Sequence, residues 1–324
     1  MTAWRQATTK ADTGLAAGCA TPRSRRVLIA GASGLLGRTL GPLLRIQGHT
    51  VLRLVRRAPA DKAEIRWDPA RGELDPGALE GVDAVVNLSG ENIAAGRWTA
   101  ARSQAILRSR VDATRTLVVA MQKLSRPPEA FVSASAVGFY GDRGDEELSE
   151  ADGIGHGFLP KVCLAWETHA EGAARAGVRT TFLRFGVVLT PAGGALAKLL
   201  PLFRLGLGGH VGDGRQWMSW LGIDDAVGAI YHAIMEPKCS GALNVVSPQP
   251  VTNAEFSATL ARVLDRRAVL PVPATLLRLV FGRMADETLL ASTRALPTGL
   301  LATGYVFRHP ALEAALRHVL GRKG

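Results

Sequence analysis

The chain has 324 residues and is 47% hydrophobic, enough to fill a sizeable core, yet no run approaches the ~18 uninterrupted apolar residues that span a bilayer. Its net charge of +11 invites a nucleic-acid reading, but carboxylates are interleaved with the cations and no dense basic run alternates with aromatics, so neither nucleic acid nor membrane is expected as a partner. Three scattered cysteines (Cys19, Cys163, Cys239) without a C-x-x-C pair argue for a reducing compartment and against structural zinc, and no metal is expected.

Residues 1–24 are polar, small and irregular and read as a flexible tail. Leu15 to Cys19 faintly resembles a lipoprotein cleavage site. Lys10, Asp12 and Gly14 interrupt the apolar stretch that secretion requires, so a cytoplasmic location is expected. Val27 to Ala30 then forms a short buried strand, followed by Gly31, Gly34 and Gly37 and by a helical period from Arg38 to Gln47. A strand that turns tightly into a helix leaves unpaired N–H groups and a partial positive charge at the helix N-terminus, which suits a pyrophosphate. Gly31 supplies the turn, Gly34 allows close approach to the phosphates, and Gly37 allows the helix to pack against the strand. Ser33, Leu35 and Leu36 complete this loop.

The next strand, Thr50 to Val55, ends in Arg56-Arg57, with no carboxylate before Asp61. An acidic residue at that place binds the ribose hydroxyls of NAD, whereas guanidiniums suit a 2′-phosphate. NADP(H) is therefore favoured over NAD(H), with Arg38 as a possible third cation. Val82 to Leu88 is a further buried strand, and Leu88, Ser89 and Gly90 at its end are cofactor-contacting candidates. Thr99 to Leu124 reads as one long helix, Ala130 to Ser135 as a strand, and Lys161 to Ala176 as a helix ended by Gly177. Val178 to Phe185 and Gly241 to Val246 are strands.

This alternation implies an α/β fold: a Rossmann-type, doubly wound parallel sheet with a small, mostly helical C-terminal substrate lobe. Residues 25–250 form the dinucleotide-binding domain, with a substrate-side insertion near 190–222, and 251–324 form the lobe. Within the insertion, Gly193 to Phe203 reads as a helix and Gly208 to Trp220 as a hairpin carrying Arg215, Gln216, Trp217 and Trp220. Asp224-Asp225 begins the next helix as its cap.

Several segments then carry a resemblance to the extended short-chain dehydrogenase/reductases of the NAD(P)-dependent epimerase/dehydratase superfamily. They include Asn87 to Ile93 with Arg97-Trp98-Thr99, Ser109-Arg110-Val111, Ser133 to Gly141, Trp166-Glu167, Leu183 to Leu189, Gly212 to Trp220 and Gly304 to Pro310. More narrowly, the chain resembles the atypical epimerase-like branch with a short C-terminal domain of unknown function. The resemblance implies a Tyr-x-x-x-Lys pair that moves a proton while hydride passes to or from the nicotinamide. The three tyrosines, Tyr140, Tyr231 and Tyr305, are followed four residues on by Gly144, Met235 and His309, so the pair is absent. Aligning Glu167 with the glutamate often found after that lysine puts Leu159 and Cys163 in its place, and aligning Lys161 with the lysine instead puts Gly157 at the tyrosine position.

Other groups are candidates for the missing chemistry. Ser135 at its strand end matches the superfamily's substrate-polarising serine, or else bonds to nearby backbone. Tyr140 offers a phenol, or packs structurally. Glu91 is placed to act as a general base, or caps the next helix. Asn92, Arg215 and Gln216 are substrate-contacting candidates, the last two because such a hairpin contacts substrate in relatives. Lys161 and His156 suit an anionic substrate or else are solvated charges, which is the favoured reading. Arg110 stands where the superfamily commonly holds an asparagine. Two functions follow: an NADP(H)-binding oxidoreductase or epimerase-like enzyme acting on a small polar, sugar-like or nucleotide-sugar substrate, or a catalytically silent NADP(H)-binding protein with a structural or regulatory role.

Overall fold

The computed structural model describes residues 23–267 and 270–322, so nearly all of the tail lies outside the described residues. In chain order the strands are β1 (Arg26–Ala30), β2 (Thr50–Val55), β3 (Glu64–Asp68), β4 (Glu73–Leu74), β5 (Ala84–Asn87), β6 (Ala130–Ala136), β7 (Glu147–Leu148), β8 (Arg179–Phe185), β9 (Val187–Leu189), β10 (Trp217–Met218), β11 (Trp220–Gly222), β12 (Gly241–Val245), β13 (Val251–Thr252) and β14 (Arg294–Ala295). Eight of them form one sheet in the order β12-β8-β6-β5-β1-β2-β3-β4. Every pair is parallel except the terminal β3–β4 pair.

The helices that make the crossovers are α1 (Leu35–Ile46), α2 (Ala100–Gln122), α3 (Phe158–Arg175), α4 (Gly194–Arg204) and α5 (Ile223–Met235). Strand pleating sorts side chains between the two faces. Val27 and Ile29 of β1 join one buried cluster with Leu40 and Leu44 of α1 and Ile230 of α5. Leu28 and Ala30 join the other with Leu117 and Met121 of α2 and Ala170 of α3. Both faces are thus covered, which is why the central strands read as continuous apolar runs.

Several boundaries differ from the sequence reading. Helix α1 starts at Leu35, not Arg38, with Gly34 as its N-cap. Helix α3 starts at Phe158, three residues before Lys161. Strands β3 and β4 lie outside the expected elements, although Glu64-Ile65-Arg66-Trp67-Asp68 alternates polar and apolar residues as a half-buried edge strand does. The expected hairpin over Gly208–Trp220 does not form. Instead β10 pairs antiparallel with β13, β11 runs parallel to β9, and Val211 bridges to Val272. Gly212 and Gly214, at φ +62° and +74°, turn the chain so that each backbone edge meets a partner distant in sequence.

Beyond β12 the chain is mostly helical: α6 (Asn253–Val263), α7 (Ala274–Phe281), a π-helical turn at Ala285–Leu289, α8 (Thr298–Ala302) and α9 (Leu312–Val319). Its contacts divide. Met284 and Phe281 pack with Trp98, Leu159 and Phe158, at the approach to α2 and the start of α3. The later part packs on α5. There Asp225 and Asp224 do not serve as N-caps, since Gly222 holds that position. Asp225 accepts from Tyr305 Oη and from the N–H groups of Arg308 and His309, and Asp224 meets His318 Nε2 at 2.6 Å. Both carboxylates fasten the C-terminal segment.

A third carboxylate does the same for α3. Glu287 Oε2 accepts from the N–H groups of Phe158 and Leu159 at 2.7 and 2.8 Å, satisfying two donors that no local side chain caps. Replacing Glu287 by Ala is expected to cost about 1–2 kcal/mol, read as a lower denaturation midpoint, with Glu287→Gln intermediate.

Candidate functional site

The turn between β1 and α1 is held by backbone against backbone. Gly31 has φ +81°, and a Cβ there would lie 2.7 Å from the carbonyl carbon and oxygen of Leu88. A Cβ on Gly37 would lie 2.4 Å from Gly31 O, while the Gly34 N–H donates to that same oxygen at 3.0 Å. The glycines therefore press the helix start into the strand and the turn onto Leu88-Ser89. No side chain caps α1 and no acidic residue occupies its first turn. Ser33 and Gly34 are exposed at this uncapped end, and Leu35 lies against Gly193. This cradle, in which only glycine backbone fits, suits a dinucleotide pyrophosphate.

At the end of β2 the two arginines differ. Arg57 forms a forked pair with Glu64, at 2.7 and 2.8 Å, which raises the arginine's pKa and lowers the carboxyl's. Glu64, on the unforeseen β3, is the carboxylate that sequence reading missed. Arg56 and Arg38 are exposed, and neither has a partner among the described residues.

The expected catalytic groups lie elsewhere. Ser135 is 3% exposed and donates to Glu167 Oε1 at 2.6 Å. Tyr140 is fully buried, its hydroxyl bonded to Ser149 O at 2.9 Å, Asn244 Oδ1 at 2.8 Å and Arg184 Nη1 at 3.0 Å. Burial holds this phenol's pKa above its usual value despite the adjacent Arg184. Both residues belong to an internal network centred on Arg184, whose Nε and Nη2 grip the two Glu167 oxygens at 2.9 and 2.8 Å. Burial opposes the arginine's charge, but the Glu167 bonds outweigh it and raise its pKa. Its guanidinium also lies 3.6 Å from the Phe139 ring centroid. The sequence signal was a charge inside an apolar strand and another on a buried helix face.

The other candidates are committed too. Glu91 is paired with Arg102 at 3.2 Å, and Arg102 also donates to Asn92 O. The Asn92 side-chain oxygen closes a local turn by accepting from Ala94 N at 2.9 Å. Gln216 is 8% exposed and its Nε2 bridges the carbonyls of Val211 and Leu289, so it joins two chain segments rather than facing a cleft. Arg215 is exposed, and its guanidinium has no partner among the described residues. Lys161 and His156 are exposed. Leu159 and Cys163 are buried, and desolvation pushes the Cys163 thiol up to about 12, so it remains neutral. Among the described residues no cluster of His, Cys, Asp or Glu is arranged to hold a metal, and no helix is long and apolar enough to cross a membrane.

A doubly wound sheet with this glycine turn at its switch point defines a Rossmann-type protein of the NAD(P)-binding kind. The chain belongs to the NAD dependent epimerase/dehydratase family, which residues 27–246 match, and residues 272–319 match a domain of unknown function, DUF1731. It is 45% identical over 298 residues to an epimerase family protein of Mycobacterium tuberculosis, covering 92% of this chain and 98% of that one. The crystal structure of human epimerase family protein SDR39U1 with NADPH superposes with a TM-score of 0.85 at 36% identity, covering 91% of this chain and 99% of that one. A nucleoside-diphosphate sugar epimerase from Corynebacterium glutamicum is also 36% identical, with a TM-score of 0.79 over 98% of this chain and 64% of that one.

Removing one partner of the Arg184–Glu167 pair strands a buried charge. Arg184→Met is expected to cost about 3–5 kcal/mol in chemical denaturation, with much of the loss recovered in the double variant Arg184→Met/Glu167→Leu.

Proposed function

We propose that this chain binds NADP(H) and uses it in an oxidoreductase or epimerase-like reaction on a small polar substrate. The observation that carries the reading is the uncapped start of α1 behind Gly31, Gly34 and Gly37, with Arg56 and Arg38 unpartnered beside it. Gly31, Ser33, Gly34, Leu35, Leu36 and Gly37 hold the pyrophosphate, and Leu88, Ser89 and Gly90 flank the chain of contacts toward β5. Arg56 and Arg38 take the 2′-phosphate, for which a guanidinium is matched in shape and charge. Arg57 orients this corner through Glu64 instead of gripping the phosphate directly. The human relative crystallised with NADPH supports the same cofactor.

The bound cofactor supplies hydride-transfer chemistry. Proton transfer in this chain does not run through a tyrosine–lysine pair, because Leu159 and Cys163 occupy the expected positions as neutral buried groups. Ser135 and Tyr140 spend their hydroxyls on Glu167, Asn244 and Ser149. That observation favours a second reading, a catalytically silent NADP(H)-binding protein.

Titration of NADPH and NADH by fluorescence tests the cofactor, with NADPH expected to bind more tightly. Arg56→Ala is expected to weaken NADPH about tenfold or more while changing NADH little, and tighter NADH binding in the parent protein overturns the reading. Slow NADPH oxidation across a panel of carbonyl compounds separates the two functions. Turnover on any carbonyl supports the enzyme, and tight NADPH binding with none supports the silent protein.

A further inference from the structure

Arg110 is a cation without a counterion. It stands on α2, half-buried, and no carboxylate pairs with it among the described residues. Its Nη1 donates to Glu91 O at 3.1 Å and to Ile106 O at 3.0 Å. The guanidinium carbon lies 5.0 Å from the Trp166 ring centroid and 3.1 Å from where a Cβ on Gly90 would stand. Glu91, the carboxylate that acts on it, is itself held by Arg102, and the neighbouring Cys163 thiol is neutral. Burial lowers the arginine's pKa, yet a guanidinium stays charged at neutral pH. A desolvated charge left this way acts strongly on whatever binds beside it.

The sheet order says what that is. Taking the NADP(H) reading above as given, the 2′-phosphate lies at the end of β2 and the pyrophosphate at the end of β1. The dinucleotide therefore runs on toward the ends of β5 and β6, the next strands in the sheet. A Cβ on Gly31 would collide with Leu88-Ser89; two residues further on, Arg110 donates to Glu91 O, with its guanidinium in the space that a Cβ on Gly90 would need. Arg110 thus borders the nicotinamide half. The oxidised nicotinamide ring carries a positive charge and the reduced ring carries none. We propose that Arg110 is an oxidation-state selector, an uncompensated cation that makes the site hold the reduced dinucleotide and reject the oxidised one. The Trp166 face and the carbonyls of Glu91 and Ile106 fix its position, and the absence of a side chain at residue 90 leaves room for the guanidinium there.

Calorimetric titration of the full chain with NADPH, NADP+ and adenosine 2′,5′-bisphosphate tests this, because the last probe carries the phosphate end and lacks nicotinamide. In the parent protein NADP+ is expected to bind about tenfold more weakly than NADPH. In Arg110→Gln the two affinities converge, in Arg110→Lys the preference is partly kept, and the bisphosphate binds all three proteins alike. An NADP+ to NADPH ratio that is the same in the parent and in Arg110→Gln, with bisphosphate binding retained, overturns the selector. So does a parent protein that binds NADP+ as tightly as NADPH, a result that needs no variant to fold. Failure of the parent to bind the bisphosphate overturns the NADP(H) reading itself and the selector with it.

Discussion

Arg184 is a buried cation near the C-terminal end of β8, one strand in from the edge of the sheet, and the region around it is arranged to keep that charge satisfied. Glu167 reaches it from α3, Tyr140 from the loop after β6, and Asn244 on β12 completes the bonding of the tyrosine hydroxyl. Ser135 at the end of β6 donates to the same glutamate. Three strands, one helix and one loop are thereby locked at the C-terminal edge of the sheet, where doubly wound folds place their ligands. The low local dielectric strengthens each of these bonds and makes the loss of any one costly.

That network consumes groups which, by type and position, suit catalysis. A serine at a strand end and a tyrosine a few residues beyond look the same in sequence whether they face a cleft or a buried arginine. The deciding fact is where Arg184 points, and only the packing of β8 against β6 and α3 sets this. The same holds around the loop after β5, where Arg102 occupies Glu91 and an Asx turn occupies Asn92. Among the described residues, the cationic groups near the sheet's C-terminal edge that keep donors free of protein partners include Arg38, Arg56 and three of the five N–H donors of Arg110. Such free guanidinium donors suit an anionic ligand, whereas the groups that suit proton transfer are bonded within the protein.

The C-terminal segment is tied to this edge by carboxylates. Glu287 closes the start of α3, and Asp225 and Asp224 hold the chain from Tyr305 to His318 against α5. Acidic pairs at helix starts commonly serve as caps, and Asp224-Asp225 has the sequence of one. Gly222 takes the cap position, and the carboxylates remain within the first turn, where the helix dipole still favours them. Their partners arrive from about 80 residues downstream, beyond the reach of any local pattern.

Local chemistry was enough for the order of strands and helices, the parallel sheet and the glycine turn. Burial on both faces makes Val27 to Ala30 apolar, and a turn in which a Cβ would collide with Leu88 or Gly31 O admits only glycine. The sequence by itself therefore determined the fold class and the place of the glycine turn between β1 and α1. Tertiary structure decided which polar groups stay available to a ligand. The Gly208–Trp220 segment found its strand partners far along the chain, Glu64 on an unforeseen strand tied up Arg57, and Arg184 drew in Ser135 and Tyr140. The reason is physical: a residue's type shows which bonds it can make, but a buried side chain spends them on whichever neighbours the fold brings within about 3 Å.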